Sequence, residues 1–183
     1  MGGYVMVPGI GGSDERHWQV SWEREWGAAA VRIAPASWSA PDLDDWVAAV
    51  QTAYDKAAGQ GGRVVLVAHS LGCWATAAWL ARNPSAQVDG AFLVAPPDSD
   101  STAFPREEAA TFVDLAAEPL PCRVLVVAST DDPYCTPEKA ADLAARWGAR
   151  LRLVGARGHL NSASGLGAWP QGRELLDLLG VRE

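Results

Sequence analysis

Three side chains of the kind that carry acyl transfer occur in the order hydroxyl, carboxylate, imidazole. They are Ser70 in VAHSLGC, Asp132 in STDDPYC and His159 in RGHLN. A serine hydroxyl is a weak nucleophile at its free pKa and needs an adjacent base, itself oriented by a third group. On this reading His159 takes the proton of Ser70. Asp132 accepts a hydrogen bond from the other ring nitrogen, which fixes the tautomer and stabilises the imidazolium. Asp131 competes for the same role; the D-x-x-C-T spacing that follows Asp132 favours the second carboxylate and leaves Asp131 as a turn or capping residue. Ala68 and Gly72, two residues before and two after the serine, are small, as a sharp strand-to-helix turn demands where two backbones approach. Ala68 stands where such turns more often carry glycine. Ser70 taken alone reads equally well as a helix N-cap; the company of Asp132 and His159 decides for the nucleophile. His69 is read as a structural residue pointing away, beneath the turn.

These positions are useful only if the fold brings them to one edge. Val/Leu/Ile-rich runs predict strands at Tyr4–Val7, Val31–Ile33, Val64–Ala68, Ala91–Ala95, Arg123–Ala128 and Arg150–Val154. They are mostly unalternating, as strands covered on both faces should be. Helical patterns fall between them. Trp18, Trp22 and Trp26 make one apolar stripe, Pro41 opens a helix running to Ala58, and Leu71–Arg82 stops before Asn83-Pro84. Pro137–Trp147 closes on Gly148, and Gly172–Leu179 comes last. Strand–helix alternation implies an α/β fold, a three-layer αβα sandwich on a mostly parallel sheet of about six strands. Ligands in such folds sit outside the carboxyl ends of the strands. There stand Gly9-Ile10-Gly11 after the first strand, Ser70 after the third, Asp132 after the fifth and His159 after the last. The backbone N–H groups of Leu71 and Ile10 are the expected oxyanion donors. Gly9, Gly11, His17 and Trp169 are the expected substrate-side residues. His17 heads the tryptophan-striped helix, where a helix-entry hydrogen bond is its other reading. Trp169 lies in a glycine-rich loop long enough to roof a pocket.

Composition narrows the partners. The chain has 183 residues and reads as a single domain over 1–183, with no linker, repeat or insertion long enough for a separate cap domain. A formal charge of −7, without a dense Lys/Arg cluster, argues against nucleic acid and anionic membrane surfaces. No run approaches the length of a membrane span and no targeting signal opens the chain. Cys73, Cys122 and Cys135 lack metal or redox-motif spacing and read as reduced thiols in a cytoplasm. No metal and no cofactor are expected. The partner is a small-molecule acyl substrate, handled by a monomer or a homodimer. A dinucleotide fingerprint fails, because the third glycine position after Gly9-Ile10-Gly11 is Asp14 and the second strand ends Ile33-Ala34-Pro35. A non-catalytic interaction module on the same scaffold is the competing class.

With these residues in place the chain resembles the α/β-hydrolases and, more narrowly, the small serine hydrolases grouped with retinoblastoma-binding protein 9. The resemblance spans essentially the whole chain, on VPGIGGSDERHWQVSWE, VAHSLG, STDDPYCTPEKA and GHLNSASGLGAWPQG. HW-x3-W and GHLN-x4-GLG-x-WP-x-G are its most specific parts. The resemblance implies a compact, lidless hydrolase with Ser70, Asp132 and His159 as triad, and implies no substrate. The L-x-C-x-E peptide of the name-giving interaction is absent, since Leu71-Gly72-Cys73-Trp74 runs on into Ala75.

Overall fold

The computed structural model describes residues 2–180. Six strands form one parallel sheet: β1 (Gly3–Val7), β2 (Ala30–Arg32), β3 (Val64–His69), β4 (Val88–Val94), β5 (Arg123–Ala128) and β6 (Arg150–Leu153). Their order across the sheet is β2-β1-β3-β4-β5-β6. Five helices accompany them: α1 (Trp18–Trp26), α2 (Leu43–Ala58), α3 (Leu71–Arg82), α4 (Pro137–Trp147) and α5 (Pro170–Asp177).

Strand alternation sorts the core into two halves. Val64, Leu66 and Ala68 of β3 face α2, α3 and α4, together with Ala91, Leu93, Val124 and Val126. Val65 and Val67 face the opposite way, with Phe92, Val94, Leu125 and Val127, against Trp18 and Trp22 of α1 and Leu176 of α5. The unbroken apolar run of β3 is therefore covered twice, which gives the three layers the pattern predicts.

The edges depart from expectation in instructive ways. β6 is the edge strand; Leu151 packs against the core while both arginines and Leu153, 48% exposed, stay open to solvent, so it is a half-covered strand rather than a buried one. α2 begins two residues after Pro41, because the Asp42 carboxylate accepts from the Asp45 N–H and sets the cap there. α5 starts at Pro170 and ends at Asp177; proline is favoured at a first helical position, where no N–H is required. After Pro105 the chain forms a 3-10 turn at Ala110–Phe112. Among the described residues no helix is long and apolar enough to cross a membrane.

Candidate active site

β3 runs into α3 through Ser70, whose backbone takes φ 53° and ψ −127°. A non-glycine residue there carries strain of about 1–3 kcal/mol, sustained only where the surroundings dictate it. The surroundings do so tightly. The Ser70 N–H donates to the Val94 carbonyl at 2.9 Å, and a Cβ at Gly72 would lie 2.3 Å from the Val7 carbonyl oxygen and 2.5 Å from that of Pro8. Gly72 is the residue that lets α3 start against the end of β1. Ser70 occupies the N-cap position but makes no capping bond, so the simple N-cap reading fails. Its hydroxyl instead meets His159.

The Ser70 Oγ lies 2.7 Å from His159 Nε2. On the other side of the ring, Nδ1 lies 2.9 Å from Asp132 Oδ2 and 3.0 Å from Oδ1. A carboxylate facing Nδ1 places the imidazole proton there and leaves the Nε2 lone pair toward the hydroxyl. The Asp132 side chain is 1% exposed, and the Tyr134 N–H also donates to its Oδ1 at 2.9 Å. Asp131 points elsewhere. Its Oδ1 accepts from the Ser129 hydroxyl and from the Gly158 N–H, both at 2.7 Å, and these bonds hold its carboxyl below the usual range. It braces the loop that carries His159.

The Gly9–Gly12 turn passes directly over the serine; a Cβ at Gly9 would sit 2.8 Å from the Ser70 Cβ. Gly11 N–H donates to the Trp38 carbonyl and Gly12 N–H to that of Gly9. The Ile10 N–H has no backbone acceptor among the described residues. Leu71, as the first residue of α3, carries one of the N–H groups that precede the intrahelical ladder. Gly9, Ile10, Gly11, Ser70, Leu71 and His159 all line one cleft of about 480 Å³. Its outer walls are Pro97, Ala103 and Pro105 on one side and Asn161, Ser162 and Ala163 on the other.

His17 also lines this cleft, and it is the N-cap of α1, its Nδ1 accepting from the Gln19 N–H at 3.2 Å. The helix-entry hydrogen bond is thus made, and the ring also borders the cleft. Burial pushes its pKa down to about 4, so the ring is neutral at ordinary pH, and Nε2 has no hydrogen-bond partner among the described residues. Trp169 corrects the expectation. It is 3% exposed and lies among Trp18, Trp22 and Phe92, with ring centroids at 5.0, 6.0 and 6.2 Å, away from the cleft. A left-handed backbone at Trp169 turns the ring inward, and Gly172 leaves room for it on α5. The same stretch of loop that brings polar residues to the cleft uses its tryptophan to fasten α5 to the sheet.

His69 is the second correction. It faces the site, with Nε2 2.9 Å from the His159 carbonyl oxygen and ring centroids 5.0 Å apart. Strand alternation puts neighbouring side chains on opposite faces, but the turn at Ser70 breaks that alternation. Tyr134 was not anticipated either. Its ring centroid lies 4.4 Å from that of His159, and it lines the cleft. Its signal was its place in the turn after Asp132. The cysteines on these elements offer no rival nucleophile, since burial raises the Cys73 pKa and pushes that of Cys135 to about 12. No cluster of three or more metal-ligating side chains occurs among the described residues.

Comparisons with known proteins agree with this architecture. A YdeN-like hydrolase structure from Pectobacterium atrosepticum is 30% identical, with TM-score 0.80 over 97% of this chain and 89% of that one. The ydeN gene product of B. subtilis is 20% identical, with TM-score 0.76 over the whole of both chains. Est1E from Butyrivibrio proteoclasticus shares the fold at 10% identity, with TM-score 0.71 over 99% of this chain and 89% of that one. No match was found among curated protein sequences. The serine hydrolase family model covers residues 4–178, nearly all of the described chain, and the protein belongs to that family.

Proposed function

We propose that the protein hydrolyses a small ester, thioester or amide through an acyl-enzyme on Ser70. The observation that carries the proposal is the continuous hydrogen-bonded line from the Ser70 hydroxyl through His159 to Asp132, at 2.7 and 2.9 Å. His159 Nε2 takes the hydroxyl proton as Oγ forms its bond to the substrate carbonyl carbon. The N–H groups of Ile10 and Leu71 then hold the oxyanion, while Asp132 stabilises the imidazolium. Collapse breaks the bond to the leaving group, which receives the proton from His159. A water activated by the same nitrogen releases the acid and restores the serine.

The substrate side follows from the walls. A cleft of about 480 Å³ fits a short acyl group or the exposed end of a larger molecule. Gly9 and Gly11 bring backbone close to the reacting carbon, and His17 offers a neutral ring beside them. Motifs shared with the retinoblastoma-binding protein 9 type support a narrower kinship with those lidless hydrolases. All three cysteines are free, which supports a cytoplasmic setting. Intact-mass analysis after fluorophosphonate treatment tests the reading. One adduct on the wild type, absent from Ser70→Ala and greatly slowed in His159→Ala, is the expected result. A folded wild type that takes no adduct would overturn it and favour a non-catalytic interaction module.

A further inference from the structure

His69 and Ser70 are consecutive residues, and both grip His159. Ser70 meets its ring at Nε2, and His69 meets its backbone carbonyl through a partly buried bond of 2.9 Å. A carbonyl oxygen accepts only, so His69 Nε2 bears the proton. Burial holds the His69 pKa well below its ordinary value, so the ring stays neutral and Nδ1 is unprotonated. His17 packs edge-on against the same ring, centroid to centroid 4.7 Å. The loop around His159 has further anchors. Arg157 N–H donates to the Ser129 hydroxyl, Gly158 N–H to Asp131, and Trp18 Nε1 to the Leu160 carbonyl. Each of these holds a neighbour. The bond from His69 is the one on the backbone of His159 itself among the described residues.

We infer that His69 is a positioning residue for the base. It ties the His159 backbone to the residue preceding the nucleophile, so a single peptide unit sets the distance between hydroxyl and imidazole. The inference rests on the hydrolytic reading of Ser70 and His159. Release of the tether lets the 159 loop relax while the loop's other anchors keep it folded. The loss falls on the chemical step, because the rest of the cleft wall, Gly9, Ile10, Gly11 and the 161–163 turn among it, keeps its place.

Asparagine and glutamine separate this role from mere packing. The glutamine amide reaches the position of imidazole Nε2 and restores the donor, whereas the asparagine amide ends about one bond short. With 4-nitrophenyl acetate, His69→Asn should lower kcat about 10- to 100-fold, with KM within about twofold. His69→Gln should recover to within about fivefold of wild type, and the fluorophosphonate labelling rates should follow the same order. Equal impairment of the two variants, or an unimpaired His69→Asn, overturns the inference. A wild type that takes no label sinks the hydrolytic reading instead. Should neither variant fold, long-range proton–nitrogen spectra of the wild-type imidazoles decide. His69 must show the Nε2–H tautomer at neutral pH, and an Nδ1–H tautomer would refute the tether.

Discussion

Ser70 and His159 meet at 2.7 Å, yet the two are held in opposite ways. The serine is placed by backbone geometry. A positive φ, a glycine two residues on and two packed strand ends leave its hydroxyl one direction to point. The histidine sits on a loop where Gly155 and Gly158 both have positive φ, and its ring packs only against the rings of Tyr134 and His69 among the described residues. It is placed by hydrogen bonds that Asp132 and His69 make to His159 itself and that Asp131, Ser129 and Trp18 make to its neighbours. The elbow resists through excluded volume, where any added atom collides. The loop resists through many bonds of modest strength, each removable without collapse. Substitutions at the elbow should therefore act on folding, and substitutions around the loop should act on rate.

The largest effect belongs to the carboxylate that sets the tautomer. Asp132→Asn keeps the shape but presents an amide to Nδ1, which favours the wrong ring tautomer. Turnover should drop about 10⁴-fold while the melting temperature shifts little. Comparable turnover in wild type and variant would show that Asp132 does not orient the base. Next comes Gly72→Ala at the elbow. Its Cβ would collide with two carbonyl oxygens of the β1 end, neither of which can move without breaking the turn. Stability should fall by about 3 kcal/mol, read from urea unfolding, with activity lost in proportion to the unfolded fraction. A variant of wild-type stability would mean that the β1 end yields easily and that the contrast between elbow and loop is false.

Acid should expose the buried imidazoles behind the site. His17 has its pKa at about 4 in the folded chain, against 6.5 when unperturbed. The unfolded chain therefore takes up the proton first, and this contribution to stability is complete above about pH 6.5. It is lost as the pH falls from there toward 4, by about 3 kcal/mol in all. His69 moves in the same direction, so His17→Asn should flatten only part of the decline. Asparagine is among the best N-cap residues, so stability at pH 7 should stay near that of wild type. An unchanged slope below pH 6.5 would show that His17 already takes a proton in the fold. A raised KM in the same variant supports its substrate-side role.

The two regions also differ in how far sequence discloses them. The elbow was legible because sterics leave few choices. A covered β3, small residues at 68 and 72 and a helix start confine Ser70 to one geometry. The strand ends that carry Asp132 and His159 were legible for the same reason, since a parallel sheet sends them all to one edge. Hydrogen-bonded parts were harder to read. Nothing in A-H-S-L-G says that the turn would swing His69 toward His159, because the alternation rule fails where φ changes sign. Trp169 misled for a related reason. Glycines and a proline announce a loop, but they do not say which way a single left-handed residue will aim a large ring. Burying Trp169 against Trp18, Trp22 and Phe92 removes apolar area from water that an exposed roof would leave wet.

The smallest effect sharpens the comparison most, because it removes one acceptor from the loop and nothing from the core. Asp131 is exposed, and its one oxygen holds both the Ser129 hydroxyl and the Gly158 N–H. Asp131→Ala deletes the acceptor of the Gly158 N–H, one residue before His159, while Asp132 and His69 keep their contacts with His159 and Ser129 still accepts from the Arg157 N–H. The expected result is a kcat lowered about tenfold at unchanged KM, a fraction of what the carboxylate facing His159 supplies. Asp131→Asn retains an acceptor oxygen of the same reach and should fall within about threefold of wild type. A loss in Asp131→Ala as deep as in Asp132→Asn would mean that the loop depends on a single bond. Its anchoring would then be as unforgiving as the elbow, and the division between steric and hydrogen-bonded placement would have to be abandoned.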